Sequence, residues 1–179
     1  VHLIADEKVE ARAILVATFT EKASKELITR VSNRAVELGV DINLAEMYIG
    51  TLHSIFLRII EEHRPRTALM RNYRLLDEFE QKYLFHRSLA AFQAIDGYDA
   101  LIARQAKRWD QAEDLAELVN KAAEEDLDLD RLISSTSPEL AVLGQISRLY
   151  RAKLLEANAL DFSTIQSTMW KLIDENADV

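Results

Sequence analysis

The sequence contains no cysteine, only two prolines and only four glycines among its 179 residues. The absence of cysteine excludes disulfide bonds, thiolate chemistry and cysteine-based zinc sites. The scarcity of glycine and proline favours long helices over a turn-rich all-β fold. The absence of cysteine also fits a cytoplasmic protein. No apolar run approaches the roughly 20 residues that cross a bilayer, so we expect no membrane partner. Hydrophobic residues make up 49% of the chain, enough for a sizeable core.

The first residue is Val1 rather than methionine, and no basic leader precedes an apolar stretch as in a signal peptide. We therefore expect a processed chain, a fragment or an excised domain.

Negative charge dominates the composition, but it is unevenly distributed. The net charge is −8. Residues 1–75 carry 11 Lys and Arg against 10 Asp and Glu, whereas residues 110–130 hold nine acids and one lysine. A polyanion could therefore bind the first part of the chain and be repelled by the acidic stretch. The alternative is that both regions are simply solvated faces.

The first part of the chain alternates between strand and helix patterns. An apolar, β-branched run at residues 14–18 predicts a buried parallel strand, and the following helix carries an apolar stripe that ends near Gly39. A second strand is predicted at residues 47–49, followed by a helix that ends at Pro65. This order predicts part of a doubly wound α/β domain. Two strands cannot form a covered parallel sheet, so we expect neighbouring strands outside this sequence.

Beyond residue 76 the pattern is helical only. Helices are predicted at about 78–93, 98–123, 138–157 and 162–173. Asp77 and Asp161 are expected to cap the first and last of them, and Ser137-Pro138-Glu139 is a strong start signal for the third. The predicted fold class is therefore mostly helical α/β.

Hydroxyl-bearing and aromatic residues follow both predicted strands. In an open parallel sheet, ligands bind beyond the carboxyl ends of the strands. Hydroxyl groups and first-turn amides can hold a phosphate there, and an aromatic ring can stack on a base. The residues concerned are Thr18, Phe19, Thr20, Thr51, His53 and Ser54.

These residues also have a structural interpretation. Thr18 and Glu21 have the spacing of a capping box, and Phe19 could belong to the core. Thr51 and Ser54 could cap the second helix. The spacing alone does not decide between these roles and nucleic-acid binding.

The same two segments, about thirty residues apart, carry a resemblance to a family. Residues 18–30 match a Thr-Phe-Thr-(Asn or Glu)-Lys-Ala-Ala-x-Glu-(Leu or Met)-x-x-Arg pattern, and residues 51–54 match Thr-(Phe or Ile)-His-Ser. In these motifs the chain resembles the superfamily 1 DNA helicases of the UvrD/Rep type. Residues 73–77 resemble the start of that family's helical insertion, and Leu160-Asp161-Phe162 resembles the return from it.

The resemblance implies a partial RecA-like (P-loop NTPase) motor domain from residues 1–75 and 156–179, with an inserted helical subdomain at residues 76–155. It also implies ATP-dependent 3′–5′ helicase or translocase activity in the parent protein, with single-stranded DNA and a duplex at a fork as partners. Carried over by position, the DNA-binding residues would be Thr18, Phe19, Thr20, Glu21, Lys22, Thr51, His53, Ser54 and Arg58.

Within the two motif segments, the sequence differs from the residues most frequent in the family at three positions. Glu21 often appears as Asn in relatives, and a carboxylate beside a phosphate is unfavourable. Leu52 replaces a frequent Phe, and Ser24 replaces an Ala. The acidity of the insertion argues against a broad duplex-binding face. Its candidates for contacting duplex DNA are the basic residues Arg104, Lys107 and Arg108.

No Gly-x-x-x-x-Gly-Lys-(Thr or Ser) loop is present, nor an apolar strand that ends in Asp-Glu. The family's order would place these two motifs before Val1 and after Val179. We therefore expect ATP and Mg to bind elsewhere in the parent protein, beside its remaining motor domains. The segment alone should lack catalytic residues, cofactor and metal sites, and ATPase activity.

Two questions stay open at the level of sequence. The parent's process could be DNA repair, restriction or replication. The main alternative function is that of a non-enzymatic, acidic helical module that binds another protein. A second alternative is a complete but degenerate helicase-like protein that binds DNA without ATP.

Overall fold

The computed structural model describes residues 1–177. The chain divides into two compact units, Val1–Glu62 and the part from His63 onwards. The described residues form eight α-helices and four short strands, and the strands pair in parallel as two separate two-stranded sheets. No helix within this range combines the length and apolarity that a membrane crossing requires. The prediction of a mostly helical α/β fold is confirmed.

The first unit has the predicted strand–helix–strand–helix order. Its elements are α1 (His2–Ala5), β1 (Leu15–Thr18), α2 (Glu21–Glu37), β2 (Tyr48–Thr51) and α3 (Leu52–Glu62). Gly39 lies just past α2 with φ +63°, the left-handed conformation predicted for the end of this helix. Buried residues of the helices include Ile55 and Ile60 of α3, whereas Leu15 and Ala17 of β1 are exposed.

The second unit is a helical core with a small sheet. Its elements are β3 (Arg74–Leu75), α4 (Glu78–Gln93), α5 (Arg108–Glu124), α6 (Leu129–Ile133), α7 (Pro138–Glu156), β4 (Ala159–Leu160) and α8 (Phe162–Glu175). The core lies between α4, α5 and α7 and contains Phe85, Leu115 and Ile146, all fully buried. The ring of Phe85 also stacks on Tyr150 at a centroid distance of 4.4 Å.

Three helices of this unit begin where their capping residues predicted. Asp77 accepts from the backbone of Glu80 and forms a capping box with it at the start of α4. Ser137 caps α7, with Pro138 in its first turn, and Asp161 caps α8. Short polar side chains at these positions satisfy amides that have no partner within the helix.

Residues 98–107 correct the sequence prediction. A helix was expected from about Tyr98, but α5 begins only at Arg108. The preceding segment is a short 3-10 helix (Tyr98–Ala100) followed by a loop, and it is anchored by Tyr98 and Ile102, both buried in the core. Gln111 supports this loop by donating to the backbone carbonyls of Arg104 (3.1 Å) and Ala106 (2.8 Å). These contacts replace backbone bonds that a continuous helix would make.

Candidate nucleic-acid interface

The carboxyl ends of β1 and β2 lie side by side. Thr18 and Thr51, the last residues of the two strands, are directly opposite each other. The Thr18 hydroxyl faces inward and lies 3.3 Å from the carbonyl oxygen of Gly50 and 3.1 Å from that of Thr20. It also contacts the Ser24 hydroxyl. Thr18 therefore ties the two strand ends and the start of α2 together.

Ser24 and Gly50 complete this arrangement, and neither was predicted as a site residue. Ser24 is 3% exposed, and its hydroxyl also lies 3.2 Å from the Thr20 carbonyl oxygen. Its signal in the sequence was a hydroxyl on the inner side of an amphipathic helix. At Gly50, an added β-carbon would lie 2.3 Å from Ser54 Oγ. Glycine is needed there because the Ser54 hydroxyl comes so close to the backbone.

The turn from β2 to α3 holds a second pair of hydroxyl groups. Thr51 Oγ1 accepts from the backbone amide of Ser54 (3.2 Å), and Ser54 Oγ donates to the Thr51 carbonyl (2.8 Å). The two hydroxyl oxygens are 3.1 Å apart. Thr51 therefore caps α3, as the structural interpretation predicted. Both residues remain partly exposed.

Phe19 has no structural role within its unit. Its side chain is 104% exposed, so the interpretation of Phe19 as a core residue is wrong. The expected capping box of Thr18 and Glu21 is also wrong, because the cap of α2 is Thr20, whose hydroxyl accepts from Ala23 N (3.1 Å). A fully exposed aromatic ring at a strand tip can offer a face to a nucleic-acid base.

The remaining predicted residues near the strand tips are Glu21, Lys22 and His53. Glu21 and Lys22 lie in the first turn of α2 and are exposed. Lys22 forms no ion pair with any of residues 1–177, so its ammonium group can meet an anion. His53 is half-buried in the first turn of α3, between Thr51 and Ser54 in sequence.

Arg58 is not brought to this cluster. Its guanidinium donates to Glu62 Oε1 (2.9 Å) and to the Met47 carbonyl (2.7 Å), and it lies 4.4 Å from the centre of the Tyr48 ring. Met47 and Tyr48 are at the amino end of β2, whereas Thr51 is at its carboxyl end. Arg58 therefore stabilises the opposite edge of the sheet. A hydrogen bond to Glu62 raises the pKa of Tyr48 there.

Basic groups of the second unit are partly engaged in its own structure. Arg104 donates to Asp99 (2.8 Å) and to the Gln93 carbonyl (3.0 Å), and Arg108 donates to the His86 carbonyl (3.1 Å). These contacts give both arginines a structural role. Among residues 1–177, no group of three or more His, Asp or Glu side chains is arranged to hold a metal ion.

Two adjacent parallel strand tips thus carry hydroxyl groups and an exposed aromatic ring. The whole chain, residues 1–179, matches the UvrD/REP helicase N-terminal domain. The chain therefore belongs to the UvrD/Rep family of helicase N-terminal domains.

Several curated relatives carry helicase names. The chain is 26% identical over 183 residues to the ATP-dependent DNA helicase SRS2 of Saccharomyces cerevisiae, covering 96% of this chain and 15% of the relative. It is 27% identical over 180 residues to the ATP-dependent DNA helicase PcrA of Bacillus subtilis (99% and 22%). It is 25% identical over 185 residues to a probable DNA helicase II homolog of Mycoplasma capricolum (99% and 23%). The chain thus spans less than a quarter of each of these relatives.

Proposed function

We propose that this chain is part of an ATP-dependent 3′–5′ DNA helicase or translocase and supplies single-stranded DNA contacts of its first motor domain. The observation that carries the proposal is the fully exposed ring of Phe19 beside the hydroxyl groups of two adjacent strand tips. Family membership supports the assignment of DNA as the ligand.

Each residue of the proposed surface has a distinct role. Phe19 stacks on a base, because its ring is open to solvent on all sides. Thr51 and Ser54 offer hydroxyl groups to a phosphate, with His53 beside them, and Lys22 supplies positive charge. Thr20 is exposed at the start of α2, where first-turn amides favour anions.

The hydroxyl of Thr18 acts indirectly in this proposal. Three inward contacts occupy it, so it holds the two strand tips in register instead of binding a phosphate. Arg58 is left out of the surface because its guanidinium lies at the other end of β2.

We also propose that residues 1–75 and 156–179 belong to a RecA-like motor domain and that residues 76–155 form its helical insertion. The parallel pairing of β3 with β4 supports this division, since Leu75 lies opposite Leu160. That pairing brings the two ends of the proposed insertion together. The fully buried core residues of α4, α5 and α7 fall between those ends.

ATP and Mg are assigned to other parts of a cytoplasmic parent protein. The names of two relatives include ATP dependence, whereas this sequence has no Gly-x-x-x-x-Gly-Lys-(Thr or Ser) loop to hold the phosphates of ATP. We therefore propose that this segment alone does not hydrolyse ATP and that the remaining motor domains are its partners.

The test is binding of a fluorescein-labelled thymidine oligonucleotide, measured by fluorescence anisotropy. Phe19→Ala should weaken binding roughly 5- to 100-fold, since stacking is worth about 1–3 kcal/mol per base. Folding should be unaffected, because the side chain is fully exposed. The matched control is Val36→Ala, which also removes an exposed apolar side chain (78% exposed) but at the far end of α2.

Salt dependence separates a phosphate contact from other kinds of binding. Affinity should fall steeply between about 50 mM and about 500 mM salt, because counterions are released when phosphates are bound. Equal binding by wild type and Phe19→Ala would contradict the proposed surface. Absence of binding by the wild-type chain at low salt is the result expected of the acidic protein-interaction module.

A further inference from the structure

Glu21 approaches the hydroxyl cluster from the neighbouring turn. It is the first residue of α2, and its Oε1 lies 3.5 Å from Thr51 Oγ1 on the tip of β2, 30 residues further along the chain. None of the other residues of the proposed surface is acidic: they are Phe19, Thr20, Lys22, Thr51, His53 and Ser54. Glu21 therefore brings negative charge to a surface that otherwise suits an anion.

A carboxylate and a phosphate compete for the same groups. Both accept a hydrogen bond from a hydroxyl such as that of Thr51, and both are favoured by the amides at the start of a helix. The Glu21–Thr51 contact is at the long limit for a hydrogen bond, and Ser54 Oγ lies closer to Thr51 Oγ1 (3.1 Å), so the carboxylate does not hold the Thr51 hydroxyl. Both side chains are accessible to solvent, so a phosphate can approach Thr51 directly.

We propose that Glu21 limits affinity for single-stranded DNA by repelling the phosphate that would bind at the Thr51 hydroxyl. This inference rests on the proposed DNA-binding function. The carboxylate lies beside the hydroxyl to which a phosphate would bind, and its negative charge opposes the approach of the polyanion.

The size of the effect follows from the charge separation. A phosphate bound at Thr51 would lie within about 5–7 Å of the Glu21 carboxylate, where two unit charges at a solvated surface alter binding roughly threefold. In less polar surroundings the same pair of charges alters the binding affinity by about tenfold. Salt screens the repulsion, because the screening length falls to about 3–4 Å near 1 M ionic strength.

The experiment compares oligonucleotide affinities of the whole 179-residue chain and its Glu21→Gln variant at low and high salt. Glutamine keeps the size of the side chain and can still accept from Thr51. Glu21→Gln should bind the thymidine oligonucleotide roughly threefold to tenfold more tightly at about 50 mM salt, with most of the gain lost near 1 M. A gain in affinity cannot arise from partial unfolding, which would weaken binding.

Two control variants distinguish an effect of the position of the Glu21 charge from an effect of the net charge of the protein. Glu26→Gln removes the same charge from the exposed side of the same helix, beside Arg30, and should change affinity less than Glu21→Gln. Glu21→Asp keeps the charge and should show no gain. An equal gain in Glu26→Gln would overturn the inference, because the effect would then come from net charge alone.

The remaining outcomes distinguish this inference from the proposed function. Unchanged or weaker binding by Glu21→Gln, together with weakened binding by Phe19→Ala, would overturn the role of Glu21 and leave the DNA surface intact. If Phe19→Ala binds as tightly as wild type, or if neither wild type nor Glu21→Gln binds, both the surface and the role of Glu21 fail.

Discussion

Asp161 is a buried carboxylate that joins several elements of the second unit. It is 2% exposed and caps α8 by accepting from the backbone amide of Thr164 (2.7 Å). Gln81 of α4 donates to it (2.8 Å), as do the hydroxyl groups of Ser163 (2.9 Å) and of Tyr150 on α7. Burial, and then the charge of Asp161, raise the pKa of the Tyr150 phenol, so this group stays a donor at neutral pH.

Replacing Asp161 with alanine removes all of these acceptors at once. Loss of the helix cap costs about 1 kcal/mol, and a buried hydroxyl left without an acceptor, that of Tyr150, costs roughly 1–3 kcal/mol. Gln81 loses less, because its Nε2 also donates to Asn120 (2.7 Å). Asp161→Ala should therefore lower the free energy of unfolding by about 2–4 kcal/mol. Asp161→Asn keeps the cap and one acceptor, so it should lose about half as much.

The assay is urea unfolding of the whole chain, followed by circular dichroism and by the fluorescence of Trp109 and of Trp170 on α8. At about 1.5 kcal/mol per M of urea, the Asp161→Ala midpoint should fall by roughly 2 M. The control is Asp174→Ala, an exposed acid on the same helix, which should change stability by less than about 0.5 kcal/mol. If Asp161→Ala is within about 1 kcal/mol of wild type, the reasoning from buried, unsatisfied donors is refuted.

Two further predictions concern close packing and alkaline pH. Gly50→Ala should displace the Ser54 hydroxyl, which would lie 2.3 Å from the added β-carbon, and so lower thermal stability. In a Ser54→Ala background the same substitution should lower stability less. Additive losses of stability in the double-mutant cycle would contradict this. Burial raises the pKa of Tyr98 to about 12. The stability that neutral Tyr98 contributes is therefore complete below about pH 10 and is lost towards pH 12, by roughly 2–3 kcal/mol. Tyr98→Phe should reduce the loss of stability between pH 10 and pH 12, measured by urea unfolding. The same loss in Tyr98→Phe and in wild type would contradict this prediction.

Local signals predicted most of the architecture because they act within a few residues. Asp77, Ser137 and Asp161 each mark the start of a helix, since a short polar side chain reaches amides two or three positions ahead. Gly39 marks the end of α2 because only a few residues tolerate positive φ. The pairing of Thr18 with Thr51 agrees with the predicted order of two parallel strands joined by a helix.

Contacts between distant residues account for what the sequence left undetermined. The inward role of the Thr18 hydroxyl depends on Ser24 and on the Gly50 carbonyl, which lies 32 residues away. The late start of α5 depends on Tyr98 and Ile102 being drawn into a core built mostly from other helices. Periodicity does not distinguish such an anchored loop from the first turns of a helix.

A hydroxyl residue can cap a helix and bind a phosphate at the same time. Substitutions at such residues therefore do not isolate DNA binding. Thr51 caps α3 through one lone pair of its oxygen, and the same oxygen lies within reach of Glu21 on the solvent side. Removing that hydroxyl changes helix stability and anion binding together, so a loss of binding in Thr51→Val has two explanations. Phe19 and Glu21 have exposed side chains that neither cap a helix nor fill a core. Changes in DNA affinity at these two positions can therefore be attributed to the surface itself.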